Sequence, residues 1–152
     1  MKSAGIVACL LALVATGCSN SNNTQSTTAP TTTVAAPTTQ TDFTGTLTVG
    51  ATLLSVPFTV AAAGNAAIDL ESVTLTLGGP ATTIQIGIGL AQATPDASGA
   101  LVCGAQTKQA TVAPALTAQL TAPVAVGSYC AAVYDPGTLK VPVIFLVRII
   151  HP

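Results

Sequence analysis

The sequence predicts an all-β fold, an antiparallel two-layer β-sandwich of about eight to nine strands, and three observations carry that expectation. From Asp42 onward, apolar residues alternate with polar or small ones, the period of two that places successive side chains on opposite faces of a strand. Turn chemistry recurs between these short runs, at Gly64-Asn65, Gly78-Gly79-Pro80, Pro95-Asp96, Gly99 and Asp135-Pro136-Gly137. Hydrophobic residues make up 49% of the chain and aromatics only 3%, a balance led by Ala and Val that suits strands packed from small and β-branched side chains.

In chain order, strands are expected over 43–49, 54–60, 67–77, 84–90, 101–103, 109–112, 116–121, 128–134 and 141–150. The clearest is the segment in which Ile84, Ile86, Ile88 and Leu90 share one face, with Gln85, Gly87 and Gly89 between them. Within 67–77 the apolar parity changes from Ile68 and Leu70 to Val73, Leu75 and Leu77, as one inserted residue would cause, so a β-bulge is placed near Glu71 and Ser72. The last run, VPVIFLVRII, is apolar on both faces, but its ten residues are too few to cross a bilayer as a helix. It reads as a final strand covered on both faces or at one edge, with Pro142 limiting hydrogen bonding near its start and Arg148 reaching solvent.

The first 41 residues have a different character. Met1-Lys2, the apolar run from Ala4 to Ala15 and the sequence Ala15-Thr16-Gly17-Cys18 follow the order of a secretory signal peptide, assigned to 1–17. As a helix the apolar run spans only ~18 Å against a hydrocarbon core of roughly 30 Å, so cleavage is expected rather than a permanent span. Residues 18–41 are uncharged and rich in Thr, Asn and Pro, a composition that cannot bury a core. They form a disordered tether that reaches up to ~70 Å at ~3.1 Å per residue. An undecorated spacer is expected, with O-glycosylation of its Thr and Ser residues as the alternative. What remains, 42–152, is about 110 residues, enough for one sandwich-sized core.

Charged residues are 6% of the chain. Beyond the signal segment, Lys108, Lys140 and Arg148 stand against Asp42, Asp69, Glu71, Asp96 and Asp135, so no basic patch for nucleic acid can be assembled. Cys9 leaves with the signal segment and Cys18 marks its end, which leaves Cys103 and Cys130 as an exported pair expected to form a disulfide. A zinc site is not expected, because two cysteines do not complete a tetrahedron and His151 is the sole histidine. No metal or cofactor is assigned.

Two resemblances sharpen this picture. Small residues followed by Cys18 resemble the bacterial lipobox, whose cysteine sulfur receives a diacylglycerol before cleavage, although Ala15 departs from the commoner Leu at its first position. The resemblance implies a protein anchored at a membrane by lipid on Cys18, without a spanning helix. Ser19, where sorting patterns of two-membrane bacteria would place Asp for retention, implies the outer membrane, on its periplasmic or its surface face; in a single-membrane bacterium the same signal implies the outer face of the cytoplasmic membrane. The stretches DFTGTLTVGATLLSVPFTVAAAG and GSYCAAVYDPGTLKVPVIFLVRIIHP resemble the bacterial pre-peptidase C-terminal type of domain, with Gly127, Tyr129, Val133, Tyr134 and Gly137 matching its closing strand and turn. That resemblance implies a jelly-roll-like sandwich serving as an exported accessory module. Domains of that type sometimes bind calcium, for which Asp96 and Asp135 are the candidate donors if backbone carbonyls complete the shell. Asp135 in Tyr-Asp-Pro-Gly is more simply a turn cap.

The inventory for catalysis is thin. His151 lies one residue from the C-terminus, where chains fray, so a Ser or Cys nucleophile has no firmly held base. Asp69 and Glu71 are the one close carboxylate pair, and their i, i+2 spacing reads as a solvated pair on one strand face rather than glycosidase machinery. Gly87 and Gly89 sit inside a strand, where they allow close packing rather than cradle a phosphate. Tyr129 and Tyr134 have opposite parity: one is expected to enter the core and bond a crossing loop in the manner of a tyrosine corner, the other to face out as a ligand contact or a cover for neighbouring strands. The expected function is a non-catalytic, lipid-anchored envelope protein that presents its sandwich as an interaction or structural module, with an envelope protein or polysaccharide as the expected partner. A glycan- or small-ligand-binding module is the second reading and a hydrolase accessory or weak enzyme the third.

Overall fold

In the computed structural model of this chain, residues 37–152 are described; the segment expected to be a signal peptide (1–17), Cys18 with its expected lipid, and the expected tether through residue 36 lie outside them. The described residues form eight strands: β1 (Thr39–Leu47), β2 (Leu54–Val60), β3 (Gly64–Thr74), β4 (Ile86–Pro95), β5 (Leu101–Val112), β6 (Leu120–Val124), β7 (Gly127–Tyr134) and β8 (Val143–His151). They make two four-stranded antiparallel sheets, ordered β1-β8-β3-β6 and β2-β7-β4-β5. The pairs β1 with β8, β2 with β7, β3 with β6 and β4 with β5 are nested about the β4–β5 hairpin. A long hairpin rolled up so that successive rungs fall in alternate sheets is the winding of a jelly roll, an architecture of two Greek keys.

Alternation builds the core. Ile68, Leu70 and Val73 of β3, Ile86, Ile88 and Leu90 of β4, Val133 of β7, and Val143, Phe145, Val147 and Ile149 of β8 are buried in one cluster between the sheets. Burying each such side chain contributes roughly 1.5–3 kcal/mol relative to leaving it exposed. The parity change in β3 is a bulge: the pairing with β8 shifts register between Leu70 and Ser72, which returns Val73 to the inner face beside Phe145. Proline lacks the donor that an inner strand needs, and Pro57 and Pro123 stand on β2 and β6, both at sheet edges.

Four expected boundaries are corrected. β3 runs over Gly64–Thr74 rather than 67–77, so Leu75 and Leu77, read as continuing the face of Val73, lie beyond the strand and are exposed. β1 begins at Thr39, inside the segment assigned to the tether, because Thr39, Gln40 and Thr41 pair with His151, Ile150 and Ile149 of β8. The segments 101–103 and 109–112 are one strand, β5; two register shifts against β4, near Leu90 and Ala91 and between Ala91 and Ala93, break the alternation that would have revealed it. β6 runs over Leu120–Val124 rather than 116–121, since Leu116 is exposed and the inward set is Leu120, Ala122 and Val124.

Cys103 and Cys130 form the expected disulfide, with Cα atoms 5.8 Å apart. They stand on β5 and β7, which flank β4, and two strands so placed in a flat sheet would lie about 9.5 Å apart. The two shifts in the β4–β5 ladder bring the start of β5 toward β7, and Ala91 and Ala93 of β4 pack beneath the sulfurs. Joining residues 27 apart contributes about 3 to 4 kcal/mol in the chain-entropy account.

One side chain completes a sheet. β6 pairs with β3 only as far as Ile68, and beyond it the Gln119 amide takes over: its Oε1 accepts from Leu70 N–H at 2.6 Å, and its Nε2 donates to the carbonyls of Leu70 at 3.2 Å and Ala113 at 3.1 Å. Ala115 N–H also donates to Leu70 O, at 3.0 Å. Gln119 thus stands in for a strand residue at an otherwise open stretch of β3. Replacing Gln119 with Ala is expected to cost about 1–3 kcal/mol, the penalty for an unpaired buried backbone group, read as a lowered midpoint in urea unfolding with an unchanged slope.

Candidate functional site

The inward set of β8 leaves Ile144, Leu146, Arg148 and Ile150 on the outer face of the first sheet, and the pairing with β1 and β3 arranges their neighbours in rows. The first row is Asp42, Arg148, Asp69; the second is Thr44, Leu146, Ser72; the third is Thr46, Ile144, Thr74. In the first row Arg148 Nε donates to Asp42 Oδ1 at 3.0 Å, Nη2 donates to Asp42 Oδ2 at 3.3 Å, and Nη1 forms an ion pair with Glu71. Glu71 reaches Arg148 from the bulge between the first and second rows.

Three carboxylates therefore surround one guanidinium, a formal excess of two negative charges. Asp69 is the least satisfied of them: it is only 8% exposed, and its Oδ1 has no hydrogen-bond partner among the described residues. Burial pushes its carboxyl above the usual aspartate range, with the Arg148 charge opposing the shift, whereas the Arg148 hydrogen bond holds Asp42 below that range. The expectation of a solvated Asp69 and Glu71 pair is thereby corrected. The sheet covers Asp69, and the bulge carries Glu71 out of a simple i, i+2 relation and onto Arg148.

Beside this acidic row lies a groove of about 350 Å³. Ile144 and Leu146 form its floor, Thr44 stands on the β1 side, Ser72 and Thr74 on the β3 side, and the connection after β3 closes it with Leu77 and Ala81. Leu77 is 88% exposed, so a large apolar side chain stands free at the rim. The groove is lined by apolar and hydroxyl side chains, and the acidic row lies one register row beyond Leu146, outside that lining.

The remaining candidates have structural employment. Asp135 Oδ2 accepts from Gly50 N–H at 2.8 Å, and its Oδ1 accepts from the N–H groups of Gly137, Thr138 and Leu139 at 2.8, 3.0 and 3.2 Å. One carboxylate so ties the β1–β2 loop to the β7–β8 loop, with Gly137 at φ 89°, where a side chain would be strained. Asp96 caps the β4–β5 turn, its Oδ1 accepting from Ser98 N–H at 2.8 Å, Ser98 Oγ–H at 2.6 Å and Ala100 N–H at 3.1 Å. The suggested calcium pairing of Asp96 with Asp135 is corrected: β4 and β7 run antiparallel, so these residues follow their strands at opposite ends of the sandwich, ~30 Å apart by strand rise, with N–H donors on both carboxylates.

Tyr129 is the inward tyrosine. Its ring stacks on Phe58 at 6.0 Å, and its hydroxyl oxygen accepts from Ala125 N–H at 3.0 Å, which holds the turn before β7. Tyr134 lies outward, flat over Gly87, where any Cβ would collide with its ring; it covers a neighbouring strand, and its hydroxyl lies 3.4 Å from Gln109 Oε1. Gly89 similarly accommodates Gln106. His151 departs from the fraying end assigned to it: it is 4% exposed, paired with Thr39, with its ring 4.9 Å from Phe58 and Nδ1 3.2 Å from the Pro152 carbonyl oxygen. Pro152 O in turn accepts from Ala61 N–H at 3.2 Å and pins the terminus.

Arg148 and its row were not anticipated as a unit. Asp42 and Arg148 are 106 residues apart in sequence, and only the register of β8 between β1 and β3 brings them together. Comparison with known proteins finds no family model that matches this chain and no similar curated protein or solved structure.

The Asp135 clamp has a pH signature. Backbone donors, Gly50 first, hold its carboxyl below the ordinary aspartate value of 3.8, so its contribution is present above that value and is lost as pH falls through the lower folded-state value. Asp135→Asn presents an amide donor in place of one accepting oxygen. The variant is expected to unfold at a lower temperature than the parent at neutral pH, and the gap is expected to narrow in thermal scans on the acid side of that value.

Proposed function

We propose that this domain is a non-catalytic binding module, exported and held at a bacterial envelope by lipid on Cys18. The observation that carries the binding reading is the outer face of the first sheet, where the groove over Ile144 and Leu146 lies one row from the acidic residues around Arg148. The groups that acid–base chemistry would need support the same reading by being engaged elsewhere. Asp96 and Asp135 hold turns through backbone donors, and His151 is packed against Phe58 inside the sandwich. The lipid anchor rests on the sequence Ala15-Thr16-Gly17-Cys18, and a jelly-roll sandwich is the fold that the resemblance to pre-peptidase C-terminal domains implies.

Among ligand-binding readings, the groove is favoured over glycan recognition by Tyr129 and Tyr134. Sugar platforms need an exposed aromatic face, whereas Tyr129 packs on Phe58 and Tyr134 spends a face on Gly87.

Intact mass of the protein purified from its own membranes, with and without reductant, tests the anchor. A chain starting at Cys18, heavier by acyl groups and lighter by two hydrogens that reductant restores, is the expected result. An unmodified chain starting elsewhere would make it a freely secreted protein. Reproducible hydrolysis of ester, peptide or glycoside substrates that disappears in Asp69→Asn would replace the module with an enzyme.

A further inference from the structure

We infer that one end of the sandwich, the end away from the start of β1, inserts into a phospholipid bilayer, led by the side chains of Val49, Leu53, Leu75, Leu77 and Val141. The inference goes beyond the groove and stands whether or not Cys18 carries lipid. These are five of the nine large apolar side chains exposed among the described residues, and their exposure runs from 41% to 88%. They belong to three connections, β1–β2, β3–β4 and β7–β8, which the antiparallel ladders bring to the same end: Leu47 pairs with Val143, Thr74 with Ile144 and Leu54 with Val133. Hydrogen bonds fasten the three connections together. Asp135 accepts from Gly50 N–H at 2.8 Å and donates its own N–H to Ala51 O at 2.9 Å, while Thr138 Oγ–H reaches the Gln85 carbonyl at 3.2 Å. The apolar side chains are thus held out on a braced tip, and their burial does not first require loops to be ordered.

The chemistry of the tip selects a bilayer. The three connections contain only two charged residues, Asp135 and Lys140. The Asp135 carboxylate already accepts from four backbone N–H groups, so it meets an interface with its hydrogen bonds made. Lys140 is exposed beside Val141, and its long stem lets the ammonium stay at the phosphate level while its neighbour goes deeper. Val49 and Leu77 precede the turn residues Gly50 and Gly78, at positions where polar residues serve a turn equally well, so core packing does not account for them. Protrusions on three separate loops suit a fluid that closes around each of them, whereas a protein partner would need a matching hollow for every one. The acidic row lies four residues down β8 from Ile144, ~13 Å from the tip, where an end-on approach keeps its carboxylates away from lipid phosphates. The chain before β1 joins at the opposite end, where Thr39 pairs with His151, so attachment there leaves the tip free. The stretch from Cys18 to Thr39 reaches ~65 Å at ~3.1 Å per residue, about twice the ~30 Å of a nine-residue strand, which lets a domain held at Cys18 lay its tip on the same bilayer.

The test uses the mature protein as the cell makes it, isotope-labelled and mixed with phosphatidylcholine nanodiscs that carry a nitroxide on the acyl chain. The nitroxide is expected to broaden the backbone amide resonances of Val49, Gly50, Leu77, Gly78 and Val141 and to spare Ser98 and Gly99 in the turn at the opposite end. Changing Val49→Ser and Val141→Ser together is expected to lower the ratio of inserted to withdrawn tip about tenfold, since both side chains are exposed and the fold does not depend on them. Val126→Ser, at an exposed position between β6 and β7 at the opposite end, is expected to change nothing. Equal broadening at both ends, no broadening at all, or insertion that survives the double change overturns the inference. Broadening that requires phosphatidylglycerol overturns it as well, because the attraction would then come from Lys140 rather than from apolar burial. Self-association without lipid that the double change abolishes would make the occupant a second copy and likewise overturn it. Each of these results leaves the groove and the anchor where they stand, because neither Val49 nor Val141 lines the groove and intact mass reads the anchor separately.

Discussion

The register of β8 between β1 and β3 is the constraint on which the rest of the molecule depends. Side chains alternate faces along a strand, so a slip of one residue would turn Val143, Phe145, Val147 and Ile149 out of the core and bring Ile144, Leu146 and Arg148 in. Burial of the inward set opposes the slip, and so does shape: the Phe145 ring sits over Gly45 of β1 and meets Phe43 edge-on at 5.1 Å. The bulge at Glu71 lets β3 match β8 on both sides of an extra residue. Arg148 adds an exposed ion pair to Asp42, which is worth little as stability and more as a marker of alignment.

From that register follows a division of labour between the two sheets. On the second sheet the outward positions of its inner strand β4 are filled by the molecule itself: Tyr134 covers Gly87, Gln106 covers Gly89, and the disulfide lies against Ala91 and Ala93. On the first sheet the outward positions of β8 are only half covered, with apolar side chains toward one end and the acidic row toward the other. Charged residues are 6% of the chain and four of them meet in that one cluster, so the electrostatic field is local and concentrated beside the groove. The loops at the groove end are held by Asp135, and Thr138 Oγ–H donates to the carbonyl of Gln85 at 3.2 Å in the same region.

Much of the fold was legible because its signals are local. The alternation from Ile84 to Leu90 marks β4, the parity change marks the bulge at Glu71, and Cys103 and Cys130, the two cysteines of the strand-rich part, mark the disulfide. β5 was read as two pieces because its bulges interrupt the alternation and its edge position leaves polar residues on both faces. His151 was misplaced because the prior for chain ends assumes nothing holds them, and here β1 and the Ala61 N–H do. The site was least legible. Asp69 and Glu71 were visible as a pair, but their partner Arg148 and the far carboxylate Asp42 come from the opposite end of the domain, and the groove is a product of three strands and a loop. Gln119 gives no sequence signal at all for its role, since its partner Leu70 is 49 residues away.

The most direct test of this account is solution NMR of the cross-strand contacts of β8. NOEs that join Arg148 to both Asp42 and Asp69, with Leu146 joined to Thr44 and Ser72, are the predicted result and place the acidic row and the groove floor on one outer face. NOEs that instead join Arg148 to Phe43 and Leu70 would show the strand slipped by one residue. The core, the acidic row and the binding face would then all have to be drawn differently.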